Sequence, residues 1–229
     1  MYLNLEHLGL TSLVYGVLPD NVKELFLGHN PLLEIDCALL PKTVEVLDLS
    51  HCRSLERVLN IDQLPNLAEL IVQDTPVQTL SRLPPTLVFL DVSHCHYLTA
   101  LPNLTRTNLH RLDMDWTHME TIPQLPETLH TFCARFSRIG VEFPMLPDSL
   151  QWLELDHSTA VTDGFLPDRP DTVTYTEYAE TARTWWNACL RRERYDALFE
   201  ELMMATWHPS RVSRWLEAGE DVLDMMMGC

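Results

Sequence analysis

The segment Leu40-Pro-Lys-Thr-Val-Glu-Val-Leu-Asp-Leu49 returns in varied form along most of the chain, and no other feature limits the possible folds as strongly. Close versions are Leu18-Pro-Asp-Asn-Val-Lys-Glu-Leu-Phe-Leu27, Pro84-Pro-Thr-Leu-Val-Phe-Leu-Asp-Val92, Pro126-Glu-Thr-Leu-His-Thr-Phe132 and Pro147-Asp-Ser-Leu-Gln-Trp-Leu-Glu-Leu155. Aligned on two apolar positions, the chain gives eight registers: Leu3/Leu5, Leu25/Leu27, Leu47/Leu49, Leu70/Val72, Leu90/Val92, Leu112/Met114, Phe132/Ala134 and Leu153/Leu155. Successive offsets are 22, 22, 23, 20, 22, 20 and 21 residues. A unit this short cannot bury its apolar face alone, so the copies must stack, each touching only its neighbours.

Within each L-x-L core the alternation of a strand sends the two apolar side chains inward and the residues between and beside them outward. Three outward columns follow. The first reads Tyr2, Glu24, Val46, Glu69, Phe89, Arg111, Thr131 and Trp152. The second reads Asn4, Phe26, Asp48, Ile71, Asp91, Asp113, Cys133 and Glu154, and the third Glu6, Gly28, Ser50, Gln73, Ser93, Asp115, Arg135 and Asp156. A further column after each core (Leu8, Asn30, Cys52, Thr75, Cys95, Thr117, Ser137, Ser158) is rich in small hydrogen-bonding residues, which suit a bend where backbone groups need partners. A proline two or three residues before each strand is expected to lie in an extended return segment. A unit of 20–22 residues leaves no room for a helix of 10–12, so the return side is expected to be extended or 3₁₀.

The period and the P-x-x-[L/V]-x-x-L-x-[L/V] unit resemble leucine-rich repeats, in particular the short repeats of secreted bacterial effectors and the similar repeats of amoebae and their large DNA viruses. The resemblance covers residues 1–160. It implies an α/β-type repeat solenoid: a leucine-rich-repeat horseshoe of about eight units, with short parallel strands on the concave face and an extended or 3₁₀ convex side. It also implies a protein-binding scaffold. In some effectors a ubiquitin-ligase domain with a catalytic cysteine follows the repeats. About 60 residues follow here, too few for that domain, and neither Cys189 nor Cys229 stands in a motif that matches it.

The periodicity changes after Thr162-Asp-Gly-Phe-Leu-Pro-Asp-Arg-Pro170, so residues 161–175 read as a linker or degenerate last repeat. Residues 176–229 show helical spacing and read as a C-terminal helical cap over the open end of the solenoid. Four of the six tryptophans (Trp185, Trp186, Trp207, Trp215) fall in that stretch, which makes it a possible second docking surface. At the amino end the first core begins at Leu3 without a preceding cap, and an open strand edge there favours self-association or partner contact.

Charge narrows the choice of partner. With 33 Asp+Glu against 16 Lys+Arg the formal charge is −17, which disfavours nucleic acid and anionic membranes as partners. The excess is net −12 over residues 1–170 and −5 over 171–229. Seven glycines leave little room for phosphate-binding loops or a hairpin-rich barrel. There is no basic leader with an apolar run and no spanning apolar segment, so the chain reads as cytoplasmic, in a host cell if it comes from a virus or pathogen. The six cysteines are scattered, which argues against disulfides and structural zinc.

Nine of the 24 positions in the three outward columns are acidic and two are basic. Like charges stacked about 5 Å apart repel, which points to a cationic protein partner. The candidate binding residues are Phe26, Asp48, Ile71, Phe89, Asp91, Arg111, Asp113, Asp115, Arg135, Trp152 and Glu154, with aromatic and aliphatic members supplying contact area. The competing reading is a solvated acidic surface. Asp91, Asp113 and Asp115 lack the fixed loop of a cation site, and the recurrent His29, His51, His94 and His157 align simply because the repeat aligns them. No metal or cofactor is implied. No triad, Walker loop or dinucleotide fingerprint is present, so the expected role is a non-enzymatic interaction scaffold. The alternatives are a substrate adaptor of a ubiquitin ligase and a structural or virion component.

Overall fold

A computed structural model describes residues 1–119, 122–137, 146–155 and 173–174, all within the unit Met1–Trp186. The proposed cap at 176–229, with its four tryptophans, lies outside the described residues, as does most of 161–175.

Eight three- or four-residue strands form one parallel ladder: β1 (Tyr2–Asn4), β2 (Glu24–Phe26), β4 (Val46–Asp48), β6 (Glu69–Ile71), β7 (Phe89–Asp91), β8 (Arg111–Asp113), β9 (Thr131–Cys133) and β10 (Trp152–Leu155). The register is that of the sequence repeat: Leu3 lies opposite Leu25, Leu25 opposite Leu47, and so on to Phe132 opposite Leu153. Neighbouring residues are flung to opposite sides, so the central leucines are sealed in the core while their flanks face outward. Leu25, Leu47, Leu70, Leu90, Leu112 and Phe132 have no solvent exposure, and neither have Leu27, Leu49, Val72, Val92, Met114 and Ala134. A short β11 (Val173–Thr174) adds to β10 in the antiparallel sense, ending the parallel order.

The return side is extended or 3₁₀, and no α-helix occurs among the described residues. A small parallel sheet pairs β3 (Glu34–Asp36) with β5 (Arg57–Leu59), each leading into a 3₁₀ turn, Cys37–Leu39 or Ile61–Gln63. The prolines act differently from the expected extended segment. They stand five residues ahead of the paired triplet and open a tight turn: the carbonyls of Pro19, Pro41, Pro84, Pro126 and Pro147 accept the N–H three residues on, from Val22, Val44, Leu87, Leu129 and Leu150. That turn aims the apolar residue of P-x-x-[L/V] into the core. The hydroxyl just before it ties the turn to the preceding unit: Thr43 donates to the Val22 carbonyl, Thr86 to Leu67, Thr128 to Leu109 and Ser149 to Leu129, at 2.7–2.9 Å.

The other end of each strand bends sharply. His7, His29, His51, Asp74, His94, Trp116 and Phe136 all take φ between 53° and 59°, the left-handed region that disfavours side chains larger than glycine. Each cost is of order 1–2 kcal/mol. Ladder bonds offset it, because the N–H of His29 reaches the Ser50 carbonyl at 2.9 Å and equivalent bonds run from His7 to Trp116. The bend turns the next residue inward. There Asn30, 1% exposed, donates through Nδ2 to the carbonyls of Leu5, Leu27 and Gly28 and accepts through Oδ1 from the N–H groups of Leu8 and Leu10. Cys52 donates to the Leu27 carbonyl, Cys95 to Val72, Thr117 and Ser137 both to Met114. Burial pushes the Cys37 thiol up to about 12 and that of Cys95 to about 11, which disfavours the thiolate at both.

Stacking adds to the bend column. The His7 and His29 rings lie 4.1 Å apart and the His29 and His51 rings 4.4 Å apart, nearly parallel. His51 Nδ1 then meets Asp74 at 2.9 Å, while His94, Trp116 and Phe136 continue as a second stack. Shielding of the ring, followed by the like charges of His7 and His51, lowers the His29 pKa below its ordinary 6.5; Arg53 adds to this and Glu6 opposes it.

Two outcomes are expected. Asn30→Ala takes the Asn30 partner from the Leu8 and Leu10 amides and the Leu5 carbonyl, while the Leu27 and Gly28 carbonyls keep Cys52 Sγ and the His7 N–H. It should destabilise by about 3 kcal/mol, measured by denaturant melts, with early hydrogen exchange at Leu8 and Leu10. For His29, the unfolded chain takes up its proton near 6.5 while the folded chain takes it up only at lower pH, so this group's contribution is present at neutral pH and is lost as pH falls below about 6.5. NMR titration should show His29 inflecting below an ordinary imidazole and moving up in His7→Gln/His51→Gln; an inflection at or above 6.5 in the parent chain contradicts the stack.

Candidate functional site

The residues flanking each central leucine form two parallel columns on the outer face of the ladder. One runs Tyr2, Glu24, Val46, Glu69, Phe89, Arg111, Thr131, Trp152 and the other Asn4, Phe26, Asp48, Ile71, Asp91, Asp113, Cys133, Glu154. Phe26, Asp48, Ile71, Phe89, Asp91, Arg111, Asp113, Trp152 and Glu154 therefore share one face. Asp115 and Arg135 sit just beyond it, two residues after Asp113 and Cys133 of the second column.

The charges on this face are not equivalent. In the carboxyl half Arg111 holds Asp113, with Nε at 2.9 and 3.1 Å and Nη2 at 2.7 Å from the carboxylate oxygens, while its guanidinium lies 5.4 Å from the Phe89 ring centre. Arg135 holds Asp115 through Nε at 2.9 Å and Nη2 at 2.7 Å, and its Nε is 3.4 Å from Glu154. The side chains of Asp113 and Asp115 are each only 12% exposed. Their desolvation is tolerable because a fork-shaped cation meets each carboxylate. Cys133 stands between Asp113 and Glu154 in the ladder, and burial together with those carboxylates pushes its thiol well up.

The amino half is different. Glu24, Asp48, Glu69 and Asp91 form no ion pair among the described residues. Asp48 and Asp91 each accept one backbone N–H, from Ser50 at 2.8 Å and Ser93 at 2.9 Å, which fixes one oxygen of each. Burial, aided by the nearby Asp113, raises the Asp91 pKa against the pull of the Ser93 bonds and Arg111.

The sequence pattern pointed to an acidic face but did not reveal that its two arginines close on Asp113 and Asp115. Arg111-x-Asp113 was the available signal, since alternation puts residues two apart in a strand on one side. The bend column was only partly visible: His29, His51 and His94 stood out, whereas His7, Asp74, Trp116 and Phe136 complete it and His157 lies outside the described residues. Face-to-face stacking presents ring planes and not nitrogens to one another, and no group of three or more His, Cys, Asp or Glu among the described residues is placed to hold a metal ion. A recess of about 420 Å³ lined by Leu33, Arg53, Ser54, Glu56, Pro76, Gln78 and Tyr97 lies away from the two columns, and its Arg53 is turned to Asp74.

No family model matches the sequence, and no curated protein does. Among solved structures the chain is similar to YopM, a leucine-rich effector protein from Yersinia pestis, with a TM-score of 0.51 and 24% identity. The match covers 59% of this chain and 44% of YopM, so it spans less than half of the effector. Identity this low speaks for architecture alone. Ladder, period and likeness agree: the chain carries a leucine-rich-repeat solenoid of parallel strands spaced about 22 residues apart.

Proposed function

We propose that the chain is a non-enzymatic protein–protein interaction scaffold whose strand face takes a basic protein partner. The observation that carries this reading is the set Glu24, Asp48, Glu69 and Asp91, without an ion pair among the described residues and held in register beside Phe26, Val46, Ile71 and Phe89 over a closed core. A hydrogen-bonded ladder keeps such a surface in shape before the partner arrives, which lowers the ordering cost of binding. Horseshoe curvature with the strands on its concave side, and a helical cap at 176–229, belong to the same proposal. So does self-association at the amino end, where Leu8, Val14 and Val17 are 61%, 66% and 75% exposed; light scattering of a concentrated sample should then show species larger than one chain, and a single monomeric species speaks against it.

Site-specific photo-crosslinking tests the face. An aromatic photo-crosslinker replacing Phe26, Phe89 or Trp152 is expected to capture one protein partner, while the same group at Leu39 or Tyr97, exposed outside the columns, captures none of it. Crosslinks from Leu39 and Tyr97 alone would move the binding surface off the ladder.

A further inference from the structure

The amino half of the face is built as an alternation in two directions. On β2 the pair is Glu24 and Phe26, on β4 Val46 and Asp48, on β6 Glu69 and Ile71, and on β7 Phe89 and Asp91. Acid and apolar residues exchange columns at every step. All six directly opposed pairs across these four strands, Glu24–Val46, Phe26–Asp48, Val46–Glu69, Asp48–Ile71, Glu69–Phe89 and Ile71–Asp91, therefore join a carboxylate to an apolar side chain. Each carboxylate is kept one diagonal away from the next, roughly 8 Å given strands about 4.8 Å apart and about 3.4 Å per residue.

The alternation ends at β8. There Asp113 stands opposite Asp91, and Arg111, opposite Phe89, closes on Asp113 from its own strand. Where two carboxylates do meet, the protein supplies its own cation. Where they are spread diagonally no ion pair forms among the described residues, and four carboxylates, Glu24 and Glu69 exposed and Asp48 and Asp91 half-buried, stand between apolar side chains.

Resting on the scaffold reading above, we propose that β2, β4, β6 and β7 form the docking surface, and that its partner is a protein segment whose lysines or arginines are interleaved with apolar side chains. Charge complementarity selects the basic residues: each faces a carboxylate that no arginine among the described residues holds in an ion pair, Arg111 being engaged on Asp113. The apolar residues of the partner meet Phe26, Val46, Ile71 and Phe89, and their contact excludes water around the ion pairs, which strengthens them. A purely basic segment satisfies only half of the pattern, and a purely apolar one strands the carboxylates. The Arg111 and Arg135 clusters bound the surface on the carboxyl side, where Asp113 and Asp115 are already met by cations of this chain.

The experiment uses the full chain and three synthetic peptides of about 12 residues, ample to cross four strands: one mixing Lys and Leu, one of equal charge mixing Lys and Ser, and one mixing Glu and Leu. Fluorescence anisotropy at fixed ionic strength should rank Lys/Leu at least about fivefold tighter than Lys/Ser, with Glu/Leu not bound. The variant Glu24→Gln/Asp48→Asn/Glu69→Gln/Asp91→Asn should weaken Lys/Leu binding by about tenfold or more, whereas neutralising four exposed acids elsewhere (Asp20→Asn/Glu56→Gln/Asp62→Asn/Glu127→Gln) should change it less than about twofold. Equal binding of Lys/Leu and Lys/Ser, or equal losses in the two variants, overturns the proposal, since either means that net charge alone attracts the peptide. The peptide ranking uses the unaltered chain, so it decides the matter even if the fourfold variant does not fold. Partner crosslinks from Phe26 and Phe89 that survive in the fourfold variant would leave the scaffold reading standing and overturn the alternating surface alone.

Discussion

The solenoid depends on a backbone bend at positive φ, repeated once per turn. A strand of three residues has few hydrogen bonds of its own, and without a sharp reversal the chain would run past the core. A left-handed residue accomplishes the reversal in a single step. Because that residue is His, Asp, Trp or Phe, the strain must be compensated, and compensation comes from the neighbouring turn through a ladder bond, a buried polar anchor and ring stacking. The most strained position of each unit is therefore also the one that most needs the next unit. This links local geometry to the nearest-neighbour cooperativity expected of a repeat array.

Much of this architecture could be read from the sequence, because a repeat reports the same physical constraint eight times. The register of all eight strands, the inward leucines and the composition of both outward columns follow from one alignment plus the twofold alternation of a strand. Other features needed three dimensions. The prolines look like residues of an extended segment, yet each opens a turn whose carbonyl is used three residues later, and the Thr or Ser beside it bonds to a unit about 20 residues earlier. A single period aligns residues but does not say which atoms meet.

The face illustrates the same limit in electrostatic terms. Counting acids and bases by column suggests a uniformly negative surface. Pairing divides it: Arg111 and Arg135 use their planar forks on Asp113 and Asp115, with Glu154 close to Arg135, while Glu24, Asp48, Glu69 and Asp91 stand without an ion pair among the described residues. Composition gives the sum of charges on a surface, whereas the distance between specific groups decides which of them a partner can use. The His stack beside this face shows a related effect, since shielding of the His29 ring and its position between His7 and His51 disfavour the charge His29 would carry alone.

The buried cysteines have a consequence of their own. Cys37, Cys52 and Cys95 are free thiols sealed in the core and Cys133 is a free thiol nearly buried among the side chains of the strand face, and burial disfavours ionisation of each. A thiol in that state reacts with an alkylating reagent only when its own turn opens. The four sulfurs thus act as clocks distributed along the stack, and the order in which they are labelled records whether the array unzips from one end, from the other, or all at once.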